Sequence, residues 1–222
     1  MDHIASTAKY DWYCEERRLI LADLEGIVTA AGTPLEGNCF YFHRTLARYP
    51  ALYAKQVNLF WAGQQATTRI CEIGLNAGHS AMLFLLGRDK TPIDFTVFDL
   101  GLHPYVRPAL EYLQAKFPHV TFEYIEGDSM KTMPDTINSD PFNRISRYDV
   151  VHVDGGHEEE CIKNDMKNAN LLVKRGGIII VDDTNAEHIN AYVDKYISFG
   201  NYEEIDIIKT EGYPHRMIRR IR

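Results

Sequence analysis

The 222-residue chain reads as a doubly wound α/β protein built on a seven-stranded, mostly parallel sheet. Three observations predict this. Short β-rich runs alternate with longer helical patterns from about Arg69 onward, an order that implies right-handed βαβ crossovers. Most of the first five runs are nearly continuously apolar, as in Phe95-Thr96-Val97-Phe98 and Ile178-Ile179-Ile180-Val181, the pattern of strands covered by helices on both faces. The last two runs are separated only by Thr210-Glu211-Gly212-Tyr213. That spacing predicts a C-terminal hairpin with an antiparallel strand at or near the sheet edge.

In chain order, the predicted strands are Arg69–Gly74, Ile93–Asp99, Val120–Ile125, Tyr148–Asp154, Gly177–Asp183, Tyr202–Lys209 and Pro214–Ile221. Helical patterns follow the first strand (Ser80–Arg88), the second (Arg107–Lys116), the fourth (Glu158–Lys174) and the fifth (Ala186–Ser198). Residues 1–68 differ. Glu15–Ala31 reads as an amphipathic helix through Leu19, Leu21, Leu24, Ile27 and Val28, and Leu52–Ala66 as another, with an aromatic-rich irregular stretch between them. This segment has too little chain for a core of its own, so it is expected to be a helical cap or lid on a domain formed by residues 69–222.

The charge narrows the function. The chain has 24 Lys and Arg against 31 Asp and Glu, a formal net charge of −7, which argues against gripping a phosphate backbone. The basic cluster Arg216, Arg219, Arg220 and Arg222 is read as the solvated side of the last strand. Apolar runs such as Ala81–Leu86 fall short of the roughly 20 residues that span a bilayer, and the start lacks a signal-peptide pattern. Four cysteines without a C-x-x-C pair argue against a disulfide scaffold and fit a reduced, cytoplasmic protein.

The first strand runs into Cys71-Glu72-Ile73-Gly74-Leu75-Asn76-Ala77-Gly78-His79-Ser80. In a doubly wound sheet the ligand binds beyond the carboxyl ends of the strands, and a glycine-rich turn there lets backbone approach it. A dinucleotide fingerprint needs G-x-G-x-x-G, but Asn76 and His79 stand at its second and third glycine positions, and Glu72 precedes the turn. A carboxylate there repels a pyrophosphate and suits a cationic ligand. The pattern E-x-G-x-x-x-G-x-S thus points to S-adenosylmethionine, which carries a sulfonium and an ammonium. Asp99 ends the second strand, where an acid can accept from a ribose diol, and Asp128-Ser129 follows the third.

This arrangement resembles the class I S-adenosylmethionine-dependent methyltransferases, with their Rossmann-like seven-stranded sheet, over roughly residues 50–222. The resemblance implies that Glu72, Gly74 and Gly78 line the methionine part of the cofactor, that Asp99 holds the ribose, and that Asp128 and Ser129 flank the adenine. Asn76, Ser80 and Asp154 complete the candidate cofactor set.

A second constellation lies further along. Strand four ends Val153-Asp154-Gly155-Gly156-His157, and strand five ends Val181-Asp182-Asp183-Thr184-Asn185. Adjacent strands lie about 4.8 Å apart, so carboxylates at their ends can converge. Converging carboxylates repel unless protons or a cation intervene, and hard oxygen ligands favour Mg²⁺. The same residues could instead serve only as a turn and a helix cap. The pattern resembles the metal-dependent O-methyltransferases of the catechol and macrolide-sugar type. That resemblance implies Asp154, Asp182 and Asp183 as metal ligands, and His157 or Asp154 as general base.

The expected activity is methyl transfer from S-adenosylmethionine to a hydroxyl of a small molecule such as a vicinal diol, catechol or sugar, assisted by a divalent metal. The alternatives are a metal-independent methyltransferase and a catalytically silent cofactor-binding module. Lys55, Trp61, His103 and Tyr105 are further candidate acceptor contacts by position. No nucleic-acid or membrane partner is expected, and the aromatic N-terminal segment could serve a homo-oligomer interface.

Overall fold

The computed structural model describes residues 2–37, 39–209 and 213–222. Seven strands form one sheet: β1 (Arg69–Ile73), β2 (Ile93–Asp99), β3 (Val120–Glu126), β4 (Tyr148–Val153), β5 (Val173–Val181), β6 (Tyr202–Glu204) and β7 (Arg216–Arg220). Their order is β3-β2-β1-β4-β5-β7-β6. The first five are parallel, and β7 inserts antiparallel between β5 and β6. The turn expected at 210–212 lies outside the described residues. β6 is much shorter than the predicted Tyr202–Lys209.

Nine α-helices are described: α1 (His3–Trp12), α2 (Cys14–Ala31), α3 (Tyr53–Gln65), α4 (His79–Gly87), α5 (Val106–Lys116), α6 (Ser129–Ser139), α7 (Pro141–Arg144), α8 (Glu159–Leu172) and α9 (Glu187–Ser198). None of the described helices is long and apolar enough to cross a membrane. The strand period of two sorts the sheet's side chains into two cores. Ile70, Phe95, Val97, Val150, Ile178 and Ile180 face a core shared with α2 to α5. Cys71, Ile73, Phe98, Val151, Val153, Ile179 and Val181 face the core shared with α6, α8 and α9. The N-terminal segment is part of the first core, since Ile20, Leu21, Leu24 and Val57 are buried in it.

Close backbone contact fixes α3 against α4. A Cβ added at Gly63 would meet the Phe84 carbonyl, and one at Gly87 would meet the Phe60 carbonyl. With α3 held so closely, the polar residues on its first turns are buried and each finds a partner. Gln56 donates to the Cys39 carbonyl (2.7 Å) and accepts from the Tyr10 hydroxyl (2.5 Å). Asn58 donates to the Ile208 carbonyl at 2.9 Å.

The register sets the position of the site. Phe98, Ile73, Val153 and Val181 lie side by side across β2, β1, β4 and β5. The ladder continues for one bond beyond them, with Gly74, Asp154 and Asp182 donating to the Phe98, Ile73 and Val153 carbonyls at 2.8, 3.0 and 3.0 Å. Asp99, Gly74, Asp154 and Asp182 therefore emerge along one rim. Strand order reverses between β1 and β4, which is where open α/β sheets bind ligands.

The opposite end of the sheet is tied by Asp149, which is 3% exposed. Its carboxylate accepts from the backbone N–H groups of Thr67 (3.0 Å), Thr68 (2.6 Å) and Arg69 (2.8 Å) and pairs with Lys174. Burial pushes this carboxyl up, but Lys174 and the backbone donors outweigh it and hold it below its ordinary value. A depressed carboxyl contributes stability above its unfolded pKa, and the contribution is lost as pH falls towards the folded value. We expect Asp149→Ala to cost roughly 2 kcal/mol in urea unfolding at pH 7, since it removes the buried acceptor of a charge-assisted network of part-buried donors. The difference between wild type and variant should shrink below about pH 4. A difference independent of pH would contradict this assignment.

Candidate active site

A cleft of about 870 Å³ opens at the carboxyl rim. On one side it is lined by Asp99, Leu100, Leu102, His103, Asp128, Ser129 and Met130, from the ends of β2 and β3. On the other it is lined by Asp154, His157, Asp182 and Asp183 from β4 and β5, with Tyr41, His43 and Lys55 from the N-terminal segment. Gly74 and Asn76 lie between the two.

The β1 turn is built to come close. Gly74 has φ +89°, and a Cβ there would strike the Asp154 carbonyl oxygen. Asn76 also adopts positive φ (52°), and its amide donates to the Glu36 and Gly37 carbonyls at 2.5 and 3.1 Å. Asp99 gathers the surrounding backbone. Its Oδ2 accepts from Leu75 and Asn76 N–H (2.8 and 3.0 Å), and its Oδ1 accepts from Gly101 N–H at 2.7 Å. Asp128 caps α6 by accepting from Met130 N–H at 3.0 Å.

Three residues expected at the cofactor do not line this cleft. Glu72 is fully buried, because it precedes Ile73 by one residue and so points to the α3–α4 side of the sheet. There its Oε1 accepts from the Ser80 hydroxyl (2.5 Å) and sits 3.0 Å from His152 Nδ1. Ser80 is held in that contact, bordering a small recess of about 20 Å³ that adjoins the cleft and is also lined by His152, Asp154, Asp182 and Lys55. Gly78 serves the fold: it takes φ +77° at the start of α4, and a Cβ would lie 2.6 Å from Leu113. Of the additional acceptor candidates, Trp61 is buried in the core and Tyr105 is fully buried, its hydroxyl accepting from Glu36 N–H at 3.1 Å. Lys55 and His103 line the cleft.

The expected metal triad is divided. His152, Asp154 and Asp182 bring ligand atoms within 4.8 Å of one another, and so do Asp154, His157 and Asp183. Strand alternation explains the first group. His152, Asp154 and Asp182 continue the parity of Glu72 and Ile180, so they face α3. Asp183, one residue on and at φ +52°, takes the other side, where its Oδ2 meets His157 Nε2 at 2.9 Å.

Lys55 completes the inner group. Its ammonium is ion-paired with Asp182, and these side chains are 4% and 3% exposed. Burial pushes the Asp182 carboxyl up, but Lys55, with His152 and His215, overrides it and holds it low. The neighbouring Asp154 goes the other way: burial and the Asp182 charge push it well above the usual carboxylate range. His157 is raised by its hydrogen bond to Asp183. Sequence reasoning does not single out His152, which is hidden in the apolar run Val150–Val153.

Comparison with known proteins agrees with this geometry. Residues 71–184, just over half of the chain, match the family model described as a methyltransferase domain. The fold matches an O-methyltransferase from Bacillus cereus in complex with SAH, with 15% identity, TM-score 0.63 and coverage of 91% of this chain and 90% of that one. It also matches TomG from Streptomyces achromogenes, an O-methyltransferase of tomaymycin synthesis in complex with SAM (17%, TM-score 0.57, 76% and 80%). An SAH-bound methyltransferase from Podospora anserina is similar at 16% identity, TM-score 0.52, and 79% and 83% coverage. A 76-residue stretch, 34% of the chain, is 32% identical to part of a probable serine/threonine-protein kinase from Dictyostelium discoideum, and the match spans only 11% of that curated relative. The chain belongs to the methyltransferase-domain family, and its fold is that of the class I S-adenosylmethionine-dependent enzymes.

Removing the Asp99 carboxylate leaves three loop N–H groups without their acceptor. Asp99→Ala is expected to weaken S-adenosylhomocysteine binding by about tenfold or more in calorimetry, the scale of one lost charge-assisted contact. Unchanged affinity in a folded variant would contradict the role given to this rim.

Proposed function

We propose that the protein transfers a methyl group from S-adenosylmethionine to a hydroxyl oxygen of a small molecule, in the class of vicinal diols, catechols and sugars. The observation that carries this reading is one continuous cleft at the β1/β4 reversal, which joins the Asp99–Asp128 side to the Asp154–His157–Asp183 side. The O-methyltransferases with the same fold support it.

In this reading Asp99 orders the turn that receives the cofactor and presents acceptor oxygens towards the ribose. Asp128 and Ser129 border the adenine, while Gly74 lets the methionine part approach the backbone. Methyl transfer to oxygen is an in-line displacement at an activated sulfonium, so the chain's main contribution is alignment. The acceptor is assigned to the side of the cleft lined by Asp154, Tyr41 and His43. His157 takes the hydroxyl proton on its imidazole, oriented by Asp183. Asp154, at the junction of both carboxylate groups, directs the acceptor oxygen towards the cofactor.

A divalent ion fits the outer group. Asp154 and Asp183 offer hard carboxylate oxygens within 4.8 Å of each other, donors suited to Mg²⁺ or Mn²⁺, which leaves His157 as the base. When bound there, such an ion would lower the pKa of a coordinated acceptor hydroxyl. The four free cysteines suit a cytoplasmic enzyme, and neither nucleic acid nor membrane enters this reading.

The test is S-adenosylhomocysteine release across a panel of catechols, diols and sugars. Turnover with at least one acceptor should fall about tenfold or more in chelator and return with Mg²⁺. Chelator-insensitive turnover would favour the metal-independent alternative. Cofactor binding without turnover across the panel would favour a silent binding module.

A further inference from the structure

The divided carboxylate cluster holds one cation already. Lys55 reaches it from α3, 127 residues before Asp182 in the chain. It is 3% exposed, and Asp182 is 4% exposed. A buried ammonium persists only with a close counter-ion, and Asp182 supplies one. The helix that carries it is anchored in the turns that follow it. Gly63 lies against the α4 backbone, and Gln56 and Asn58 are bonded to other segments.

His152 is engaged on one side of its ring only. His152 Nδ1 faces Glu72, and its buried Nε2 has no hydrogen-bond partner among the described residues. A divalent ion placed between Asp154 and Asp182 would stand beside the charge of the buried Lys55 ammonium, where like charges repel more strongly than in bulk water. At the outer pair the base is different: among the described residues, Asp183 is ion-paired with His157 and not with a lysine or arginine.

We propose that Lys55 is a resident cation that occupies the inner position of the cluster. Asp182 is then its counter-ion rather than a metal ligand, and any divalent ion is taken at the outer position by Asp154 and Asp183. This rests on the metal-assisted reading for its second half only. Lys55 acts as a positioning residue: it holds the buried Asp182 carboxylate beside the half-buried Asp154 and leaves Asp154 to face the cleft.

Mn²⁺ binding to the full chain, read by electron paramagnetic resonance, tests it without recourse to activity. Wild type should take up one ion. Asp183→Asn should weaken uptake by about tenfold or more, while Asp182→Asn should change it by less than about threefold. Lys55→Met should create a second or tighter site, and adding Asp182→Asn should remove that gain. Lys55→Arg keeps the charge and should bind as wild type does. Equal losses in Asp182→Asn and Asp183→Asn, or no gain in Lys55→Met, would overturn the proposal. If Lys55→Met does not fold, the contrast between the two Asp→Asn variants supports or overturns it. If wild type takes up no Mn²⁺, the metal-assisted reading fails. Lys55→Met then decides alone: a site that appears and needs Asp182 supports a resident cation, and its absence refutes one.

Discussion

The buried ion pair between Lys55 and Asp182 is the contact on which the architecture of the site depends. Parallel strands ending in acids bring like charges together at a spacing that water cannot screen once the rim is covered. The protein resolves this with bases delivered from different elements. Lys55 on α3 neutralises Asp182, His157 after β4 meets Asp183, and His152 within β4 faces Glu72. Asp154 is left at the junction, with the raised proton affinity that such a position imposes. The N-terminal helices are therefore more than a cover. They supply the ammonium that pairs with Asp182, on a helix packed closely against α4.

Much of the fold is legible in the sequence because the strands are buried on both faces. Runs such as Ile178–Val181 mark strands directly, and the alternation of elements implies the topology. The helical stretch between β3 and β4 leaves a weaker trace: α6 carries Pro134 and few apolar residues, and only Met133 and Ile137 are buried. α1 escapes the pattern for a similar reason, burying only Ser6 and Tyr10. β6 ends at Glu204 although the apolar pattern continues through Ile205, Ile207 and Ile208. Hydropathy marks burial, whereas a strand requires a bonded neighbour.

At the site, the acids are legible and their partners are not. Asp99, Asp154, Asp182 and Asp183 end strands, a position that local pattern reveals. Which face each acid takes depends on its parity within the strand. That parity sends Glu72 behind the cleft wall to Ser80 and His152, and it separates Asp182 from Asp183. Lys55 pairs across 127 residues, beyond any local signal. The basic residues at the C-terminus show the same limit. Arg216 forks onto Glu204 and Asp194, and Arg220 bonds the Asn170 and Val173 carbonyls, so these charges are committed to holding β7 in place.

In the proposed arrangement two kinds of cation share one acidic rim, a lysine on its inner side and a divalent ion on its outer side. The most direct measurement is a crystal structure grown with S-adenosylhomocysteine and Mn²⁺, with the metal located by anomalous scattering. One peak is expected between Asp154 and Asp183, with Lys55 still on Asp182. A peak between Asp154 and Asp182, with the Lys55 side chain displaced, would contradict it.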